Sequence, residues 1–157
     1  MLKNDKIFLL VRHPFSRLIS AYRDKIFINP GSYAGIRIRK RLEEKSKIDK
    51  PASFSDFVRF VLESPLDELD PHWYPYSLQC TPCQIKYSGI LKLESLERDW
   101  NWFMQYTNIN VNINHLNRYG SKKTSEEYLS RLSPYLQNQL YNKFKQDFLL
   151  FNYTKHL

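Results

Sequence analysis

The sequence has few features that would anchor the chain in a membrane, and few that recur along its length. No apolar run approaches the ~20 residues needed to cross a bilayer, and residues 1–7 lack the apolar core of a signal peptide. There is no internal repeat, low-complexity tract or clear linker. We therefore expect a soluble chain whose residues 1–157 form one domain, large enough to bury a hydrophobic core.

Cysteine is scarce as well. The chain has two, Cys80 and Cys83, in the pattern Cys-Thr-Pro-Cys. A structural zinc site normally needs a second pair of ligands, and the nearby His72 does not supply one, so no metal is expected. A redox motif stays open, although no thioredoxin-like strand pattern precedes the pair.

Positive charge is in excess. The chain carries 24 Lys and Arg against 16 Asp and Glu, a formal net charge of +8. This balance favours an anionic partner: a nucleotide phosphate, an acidic glycan, nucleic acid or an acidic membrane surface. Much of the excess lies in residues 37–50, either a solvated loop or helix face or a basic lip over an acidic polysaccharide. Hydrophobic residues make up 42% of the chain, so disorder is not expected.

The most informative segment is residues 6–28. Its apolar run, Ile7 to Val11, predicts a buried strand over Lys6–Val11 that is followed by Arg12, and residues 16–27 predict an amphipathic helix. Such a strand places Arg12, Ser16 and Ser20 near the carboxyl edge of a sheet, where ligands bind in α/β proteins. Free N–H groups at a helix N-terminus and a bidentate arginine suit a phosphate. The alternative is an ordinary strand-turn-helix with a solvated arginine.

Helices are predicted for much of the remaining chain. Ser53, with Asp56 three residues later, predicts a capping box that opens an amphipathic helix, which ends at Pro65. Residues 33–50 are expected to be irregular or weakly helical. Residues 67–83 contain three prolines and no period, which predicts a long loop of the kind that often carries function.

The second half of the chain shows three helix starts. Ser95 is expected to cap a helix that places Trp100 in the core, and Thr124 to open another through a capping box with Glu127. Pro134 suits the first turn of a final helix. The tryptophans could instead stack on a sugar or on adenine.

Two carboxylates, Glu94 and Asp99, lie close together in the sequence. They are either paired acids, as in glycoside hydrolysis, or groups that orient the helix beginning nearby.

Two further strands are expected. Residues 84–91 predict a second strand, and residues 108–116 a half-buried strand or extended segment. Few strands and many helices predict an α/β fold with a small parallel sheet flanked by helices.

Four stretches together resemble the Golgi carbohydrate sulfotransferases, closest to the branch that sulfates chondroitin, dermatan and the HNK-1 glycan. They are Arg-x-Pro-Phe-x-Arg-Leu-x-Ser-Ala-Tyr-Arg at 12–23, the His-Trp and Cys-x-Pro-Cys blocks at 71–83, Lys-x-Glu-x-Leu-x-x-Asp at 92–99, and residues 147–153. They occur in the family's order over about 150 residues.

The resemblance implies a set of site residues. Arg12 and Ser20 would hold the 3′-phosphate of the sulfonate donor, 3′-phosphoadenosine 5′-phosphosulfate (PAPS). His72 would be the general base; the alternative is a loop histidine whose ring packs on Trp73 or bonds to the backbone. Lys122, in a basic loop, would close over the nucleotide; the alternative is a solvated loop. The remaining turn residues would be His13, Pro14, Phe15, Ser16, Arg17, Leu18 and Ile19. His13 stands where the family usually has an acidic residue, and it could add a donor to the nucleotide.

The resemblance also implies a fold and a location. The family has a P-loop-like sulfotransferase fold and resides in the Golgi lumen as type II membrane proteins. Its 5′-phosphosulfate loop and membrane anchor would lie upstream of Lys6, so we expect a partial, N-terminally truncated domain. A lumenal location would fit a Cys80–Cys83 disulfide and the glycosylation pattern at Asn152-Tyr153-Thr154.

The function expected from this resemblance is transfer of sulfonate from PAPS to a hydroxyl of a glycosaminoglycan-like or glycoprotein glycan, without a metal. A uronyl 2-O-sulfotransferase is the nearest alternative within the class. Outside it, the alternatives are a non-catalytic module that binds acidic glycans and an inactive sulfotransferase fragment. A nucleic-acid-binding domain ranks last, because no motif for it is present, and no nucleic-acid partner is expected.

Overall fold

The computed structural model describes residues 6–46, 51–111 and 122–156. Its strands are β1 (Phe8–Val11) and β2 (Gly89–Lys92). Its α-helices are α1 (Pro14–Tyr22), α2 (Tyr33–Ser46), α3 (Phe54–Glu63), α4 (Tyr76–Gln79), α5 (Leu96–Thr107), α6 (Lys122–Ser130), α7 (Pro134–Lys143) and α8 (Lys145–Leu150). A π-helical segment, Arg23–Ile28, extends α1, and short 3₁₀ turns cover Leu66–Glu68 and Leu93–Ser95.

The two strands pair in parallel, as the sequence predicts. Phe8 lies opposite Gly89 and Val11 opposite Lys92, with helices α1 to α4 in the connection between the strands. Because parallel strands end at the same edge of a sheet, the residues that follow each strand meet there. The small parallel sheet flanked by helices confirms the predicted α/β class.

A core of aromatic and aliphatic side chains fills the space between α1, α3 and the C-terminal helices. Phe15 and Leu18 from α1 meet Phe57 from α3 and Phe148 from α8, each at most 2% exposed. Burying one such side chain stabilises a fold by about 1.5–3 kcal/mol relative to leaving it in water. The core therefore fixes α1, and with it the turn after β1.

The capping box of α3 is confirmed. The Ser53 hydroxyl accepts from the Asp56 N–H, and the Asp56 carboxylate accepts from the Ser53 N–H at 3.0 Å. Pro134 also takes the predicted first-turn position, with Ser133 as the N-cap. That helix is followed by α8, so it is not the final one.

Several predicted element bounds were wrong. α1 begins at Pro14, two residues before the predicted start, because a proline fits the first helical turn. Residues 33–46 form a regular helix that buries Ala34 and Ile38, where an irregular or weakly helical segment was expected. The second strand covers 89–92 and leaves 84–88 outside it, and Thr81 upstream adopts a left-handed φ of 42°.

α5 begins directly after its N-cap residue Ser95, as predicted, although the Ser95 hydroxyl makes no bond to the helix backbone and donates to the Asp99 carboxylate at 2.9 Å. The predicted start of α6 needs correction. α6 begins at Lys122, so Thr124 lies inside the helix and not at its N-cap. Residues 108–116 were predicted to be a half-buried strand or an extended segment. The described part, 108–111, is exposed and forms no strand, and Asn108 ends α5 with a φ of 57°. The remainder of that prediction lies outside the described residues.

No helix within the described ranges combines the length and the apolar character needed to cross a membrane.

Candidate functional site

A cavity of about 490 Å³ opens at the carboxyl ends of the two strands. The end of β1, one face of α1, the loop before α4 and the residue after β2 surround it. Its lining residues are Leu10, Val11, Arg12, Arg17, Ser20, Ala21, Asp24, Pro71, His72, Tyr76 and Leu93. Three residues that the sequence singled out, Arg12, Ser20 and His72, therefore face one space although up to 60 positions separate them.

Arg12 is a partly buried cation on the wall of this cavity. Burial lowers the pKa of its guanidinium, while the negative charge of Glu94 acts in the opposite direction. A partly desolvated guanidinium interacts more strongly with an anion than an exposed one does. Ser20 lies on the same side, two turns into α1, and adds a hydroxyl to the wall. Together they suit a phosphate group.

His13 does not line the cavity, so its predicted contact with the nucleotide is wrong. The ring is 5% exposed, packs edge-on against Phe15, Phe148 and Tyr153, and places Nε2 3.0 Å from the Thr154 carbonyl oxygen. Burial lowers the pKa of this imidazole, which holds it neutral at pH 7. The His13 N–H donates to the Glu94 carboxylate at 2.8 Å.

The other turn residues divide between core and cavity. The side chains of Phe15, Leu18 and Ile19 are buried in the hydrophobic core, and Pro14 is buried at the helix start, so these four are not available to a ligand. The reason is the amphipathic pattern of α1, whose apolar face packs inward. Ser16 is half-buried and lies outside the cavity lining.

Arg17 has a role that sequence reasoning missed. Its guanidinium donates to the carbonyls of Tyr74 at 2.6 Å and Pro71 at 2.7 Å, and lies 3.8 Å from the Tyr76 ring centroid. It thereby fastens the loop of residues 70–76 to α1. No local pattern marks this role, because the partners are backbone carbonyls more than 50 positions away.

A second side chain, from helix α8, binds the end of the same loop where α4 begins. Asp147, 1% exposed, accepts the N–H groups of Tyr76 and Ser77 at 2.8 Å each. A carboxylate at these positions satisfies two donors that the first turn of α4 leaves open. The sequence placed Asp147 in a block that resembles the closing segment of the family. It did not predict this contact, because the partners lie about 70 positions away.

His72 stands at the cavity in this fastened loop. Its side chain is 54% exposed, and Nδ1 lies 2.6 Å from Oδ1 of Asp70, whose side chain is 19% exposed. The neighbouring Trp73 is 2% exposed and packs against Phe57 in the core. The expectation that Trp73 could stack on a ligand is therefore wrong, and the His72 ring bonds to the Asp70 side chain and not to the backbone.

The remaining carboxylates join parts of the site. Glu94 accepts from the His13 N–H and, at 2.8 Å, from the Tyr153 hydroxyl, whose pKa is raised chiefly by burial. Asp99 accepts the Lys92 N–H at 2.8 Å and pairs with Arg98 at 3.0 Å, which confirms that it orients α5. Neither is arranged as one of a pair of catalytic acids.

Asp24 adds a carboxylate to the cavity rim, which sequence reasoning also missed. It is 54% exposed and pairs with Lys25 at 2.9 Å. Its pKa is lowered, first by the hydrogen bond from Lys25. The π-helical segment that follows α1 carries it, and such segments are frequent at functional sites.

Other predicted residues lie away from the cavity. Trp100 is half-buried beside Phe103, not in the core, and Trp102 is 42% exposed at the opposite end of β2. The sulfurs of Cys80 and Cys83 are not bonded to each other, and burial raises the pKa of the Cys80 thiol. The side chain of Lys122 lies outside the described residues. No cluster of three or more metal-ligating side chains occurs in the described ranges.

Comparison with known proteins gives consistent matches. The model of the sulfotransferase family matches residues 1–154. The chain is 31% identical to carbohydrate sulfotransferase 11 of Mus musculus, over 98% of the chain and 48% of that protein. It is 32% identical to carbohydrate sulfotransferase 8 of Homo sapiens, over 94% of the chain and 39% of that protein.

A third relative, carbohydrate sulfotransferase 10 of Rattus norvegicus, is 33% identical over 94% of the chain and 47% of its own length. The chain thus spans about half, or less, of the length of these curated relatives. No solved structure gives a significant match.

Proposed function

This chain belongs to the sulfotransferase family, and we propose that it acts in transferring a sulfonate from PAPS to a hydroxyl group of a glycan. The observation that carries the proposal is the meeting of Arg12, Ser20 and His72 at one cavity. The three relatives are all carbohydrate sulfotransferases, which supports a glycan acceptor over a module that only binds glycans. We treat residues 1–157 as one domain, in line with the family match over 1–154.

In the proposed donor site, Arg12 and Ser20 hold the 3′-phosphate. A phosphate fits there because the guanidinium can donate two hydrogen bonds to it and the Ser20 hydroxyl a third. Burial favours this use of Arg12, since an anion offsets the cost of desolvating its charge. Leu10, Val11 and Leu93 add an apolar wall suited to the uncharged part of a nucleotide.

In the proposed reaction, His72 accepts the proton of the attacking glycan hydroxyl. PAPS supplies the activated sulfonate when it is bound. Removal of the hydroxyl proton during attack is general base catalysis, for which histidine is the residue most often used. The position of His72 at the cavity that Arg12 and Ser20 also line supports this assignment, and the anchors at Arg17 and Trp73 limit its movement.

The charge of the chain supports an acidic acceptor and a nucleotide donor as partners. The exposed face of α2 carries Arg39 and Lys40, and Arg37 and Arg41 lie beside them, half-buried. This basic surface suits a glycosaminoglycan-like chain. We further infer residence in the Golgi lumen, where sulfonation of glycans by this family takes place, and there Cys80 and Cys83 are expected to pair.

A transfer assay tests the proposed function. ³⁵S-labelled PAPS is incubated with the chain and a panel of desulfated glycosaminoglycans, and labelled glycan is counted. We expect transfer to one of the glycans, and a fall of about 10²- to 10⁴-fold in His72→Ala, the range by which general bases contribute. His156→Ala, at an exposed histidine near the C-terminus, is the matched control and should keep the parent rate.

The contradicting result is equally specific. The proposed catalytic role is wrong if the parent chain binds the nucleotide but transfers no label, or if His72→Ala and His156→Ala retain equal rates.

A further inference from the structure

Asp70 and His72 form a short, two-point contact beside the cavity. One oxygen of the Asp70 carboxylate, Oδ1, lies 2.6 Å from Nδ1 of His72 and accepts the His72 backbone N–H at 2.9 Å. The same atom therefore orients both the backbone and the ring of His72. Asp70 is the less exposed partner, with 19% of its side chain exposed against 54% for His72.

This contact determines which ring nitrogen carries the proton. An ionised carboxylate only accepts hydrogen bonds, so Nδ1 must be the N–H donor. In a neutral imidazole the other nitrogen, Nε2, then holds the free electron pair. A base oriented by a third, acidic group is the arrangement that recurs in enzymes with activated histidines.

The surrounding loop is held on both sides of His72. Arg17 binds the carbonyls of Pro71 and Tyr74, and the Trp73 side chain is anchored in the core. With the backbone held in this way, the ring retains rotation about its own side-chain bonds. The bond to Asp70 removes that freedom.

We propose that Asp70 is a positioning residue, which holds His72 in the Nδ1–H form so that Nε2 is the proton acceptor in sulfonate transfer. This inference rests on the proposed function. In the step, the glycan hydroxyl oxygen forms a bond to sulfur, and its proton passes to Nε2. The bond between sulfur and the bridging phosphate oxygen breaks, which releases 3′,5′-adenosine bisphosphate. Asp70 stays ionised and stabilises the imidazolium, which later returns its proton to water.

Nitrogen NMR of the imidazole rings tests the proposal without requiring turnover. ¹⁵N shifts distinguish the Nδ1–H from the Nε2–H form, and His72→Gln identifies the signals of His72. We expect the Nδ1–H form to dominate in the parent chain and to lose that dominance in Asp70→Asn. Asp67→Asn, at an exposed carboxylate three residues earlier, is the matched control and should leave the His72 signals unchanged.

The transfer assay supplies the catalytic arm. Asp70→Asn should reduce transfer by up to about 10⁴-fold, the range by which a general base contributes, while its affinity for 3′,5′-adenosine bisphosphate stays within twofold of the parent. The proposal is overturned if Asp70→Asn leaves the His72 tautomer unchanged, or if it changes the tautomer without slowing transfer. Absence of nucleotide binding in the parent chain would instead overturn the donor site, and the two failures are thus distinguishable.

Discussion

The guanidinium of Arg17 lies over the ring of Tyr76, with 3.8 Å between its central carbon and the ring centroid. Arg17 belongs to α1, which carries Ser20, and Tyr76 begins α4, directly after the loop that carries His72. The contact joins the phosphate side of the cavity to its proposed catalytic side. Arg17 lies within the predicted phosphate motif, but this contact gives it a structural role as well, because it holds the loop on α1.

Replacing Arg17 by Lys should destabilise the fold although the charge is kept. Lysine lacks the planar fork that reaches two carbonyls and the flat face that stacks on Tyr76. We expect the free energy of unfolding to fall by about 1–3 kcal/mol, measured by urea denaturation. The control is Arg39→Lys, at an exposed pair with Glu43, which should change it by less than about 0.5 kcal/mol. Equal effects of the two substitutions would contradict the role given to Arg17.

Replacing Asp147 should lower the free energy of unfolding, because it removes the contacts that hold the start of α4. Asp147→Ala leaves the N–H groups of Tyr76 and Ser77 without their acceptor, at an expected cost of about 2–5 kcal/mol. Asp147→Asn retains one carbonyl acceptor and should cost less. Thermal or urea unfolding measures both, with Asp67→Ala as an exposed control expected to lie within about 0.5 kcal/mol of the parent. If Asp147→Ala matches that control, the contact does not stabilise the loop.

His13 should make the fold sensitive to mild acid. Its pKa is lowered in the folded state, chiefly by burial, with Arg12 acting in the same direction and Glu94 opposing. The unfolded chain therefore binds a proton more readily near pH 6.5. Its contribution to stability is complete above that pH and is lost progressively as the pH falls below it.

Urea unfolding between pH 7.5 and 5 measures this effect. His13→Gln keeps a donor for the Thr154 carbonyl and should flatten the decline, while His156→Gln should keep the parent slope. The pKa values of Asp24 and Asp99 are also lowered, from an ordinary aspartate value of about 3.9. These two groups therefore change stability only below the pH range of this experiment. A parent chain whose stability is constant from pH 7.5 to 5 would contradict the burial of a neutral His13.

Replacing Gly89 by a residue with a side chain should destabilise the fold. A Cβ there would lie 2.5 Å from Cη2 of Trp102, whose ring covers the start of β2. We expect Gly89→Ala to cost about 1–3 kcal/mol, and less in a Trp102→Leu background, where the clash is removed. Gly31→Ala meets no atom within 4 Å and serves as the control. A loss at Gly31 as large as that at Gly89 would show that the effect is not the contact with Trp102.

Local patterns predicted the elements that depend on neighbouring residues. The capping box of Ser53 and Asp56, a strand before Arg12 and the first-turn proline of α7 each follow from the local sequence, and the structure contains all three. The strand was expected to be buried, but it is buried on one face only, because Leu10 is 48% exposed. Local patterns predicted residues 33–46 less well, because the regular helix there was expected to be irregular or only weakly helical. Their many charges hide a narrow apolar face, whose burial against the rest of the chain makes the helix.

The sequence predicted the site residues that follow directly from the strand and helix at the sheet edge. It did not predict the contacts between residues that are far apart in the chain. Arg12 and Ser20 follow from a strand that leads into a helix. The contacts of Arg17 with Pro71, and of Asp147 with Tyr76, join segments 54 and 71 positions apart. No periodicity encodes such pairs, since they depend on how the core packs α1 against α8.

Calorimetric titration with 3′,5′-adenosine bisphosphate tests the central claim most directly. We predict saturable binding by the parent chain, weakened at least about tenfold by Arg12→Ala and by Ser20→Ala, because each removes a hydrogen bond to a charged phosphate. Arg39→Ala, at an exposed arginine of α2, should bind like the parent. Absence of binding, or equal affinity in Arg12→Ala and Arg39→Ala, would contradict the assignment of this cavity as the donor site.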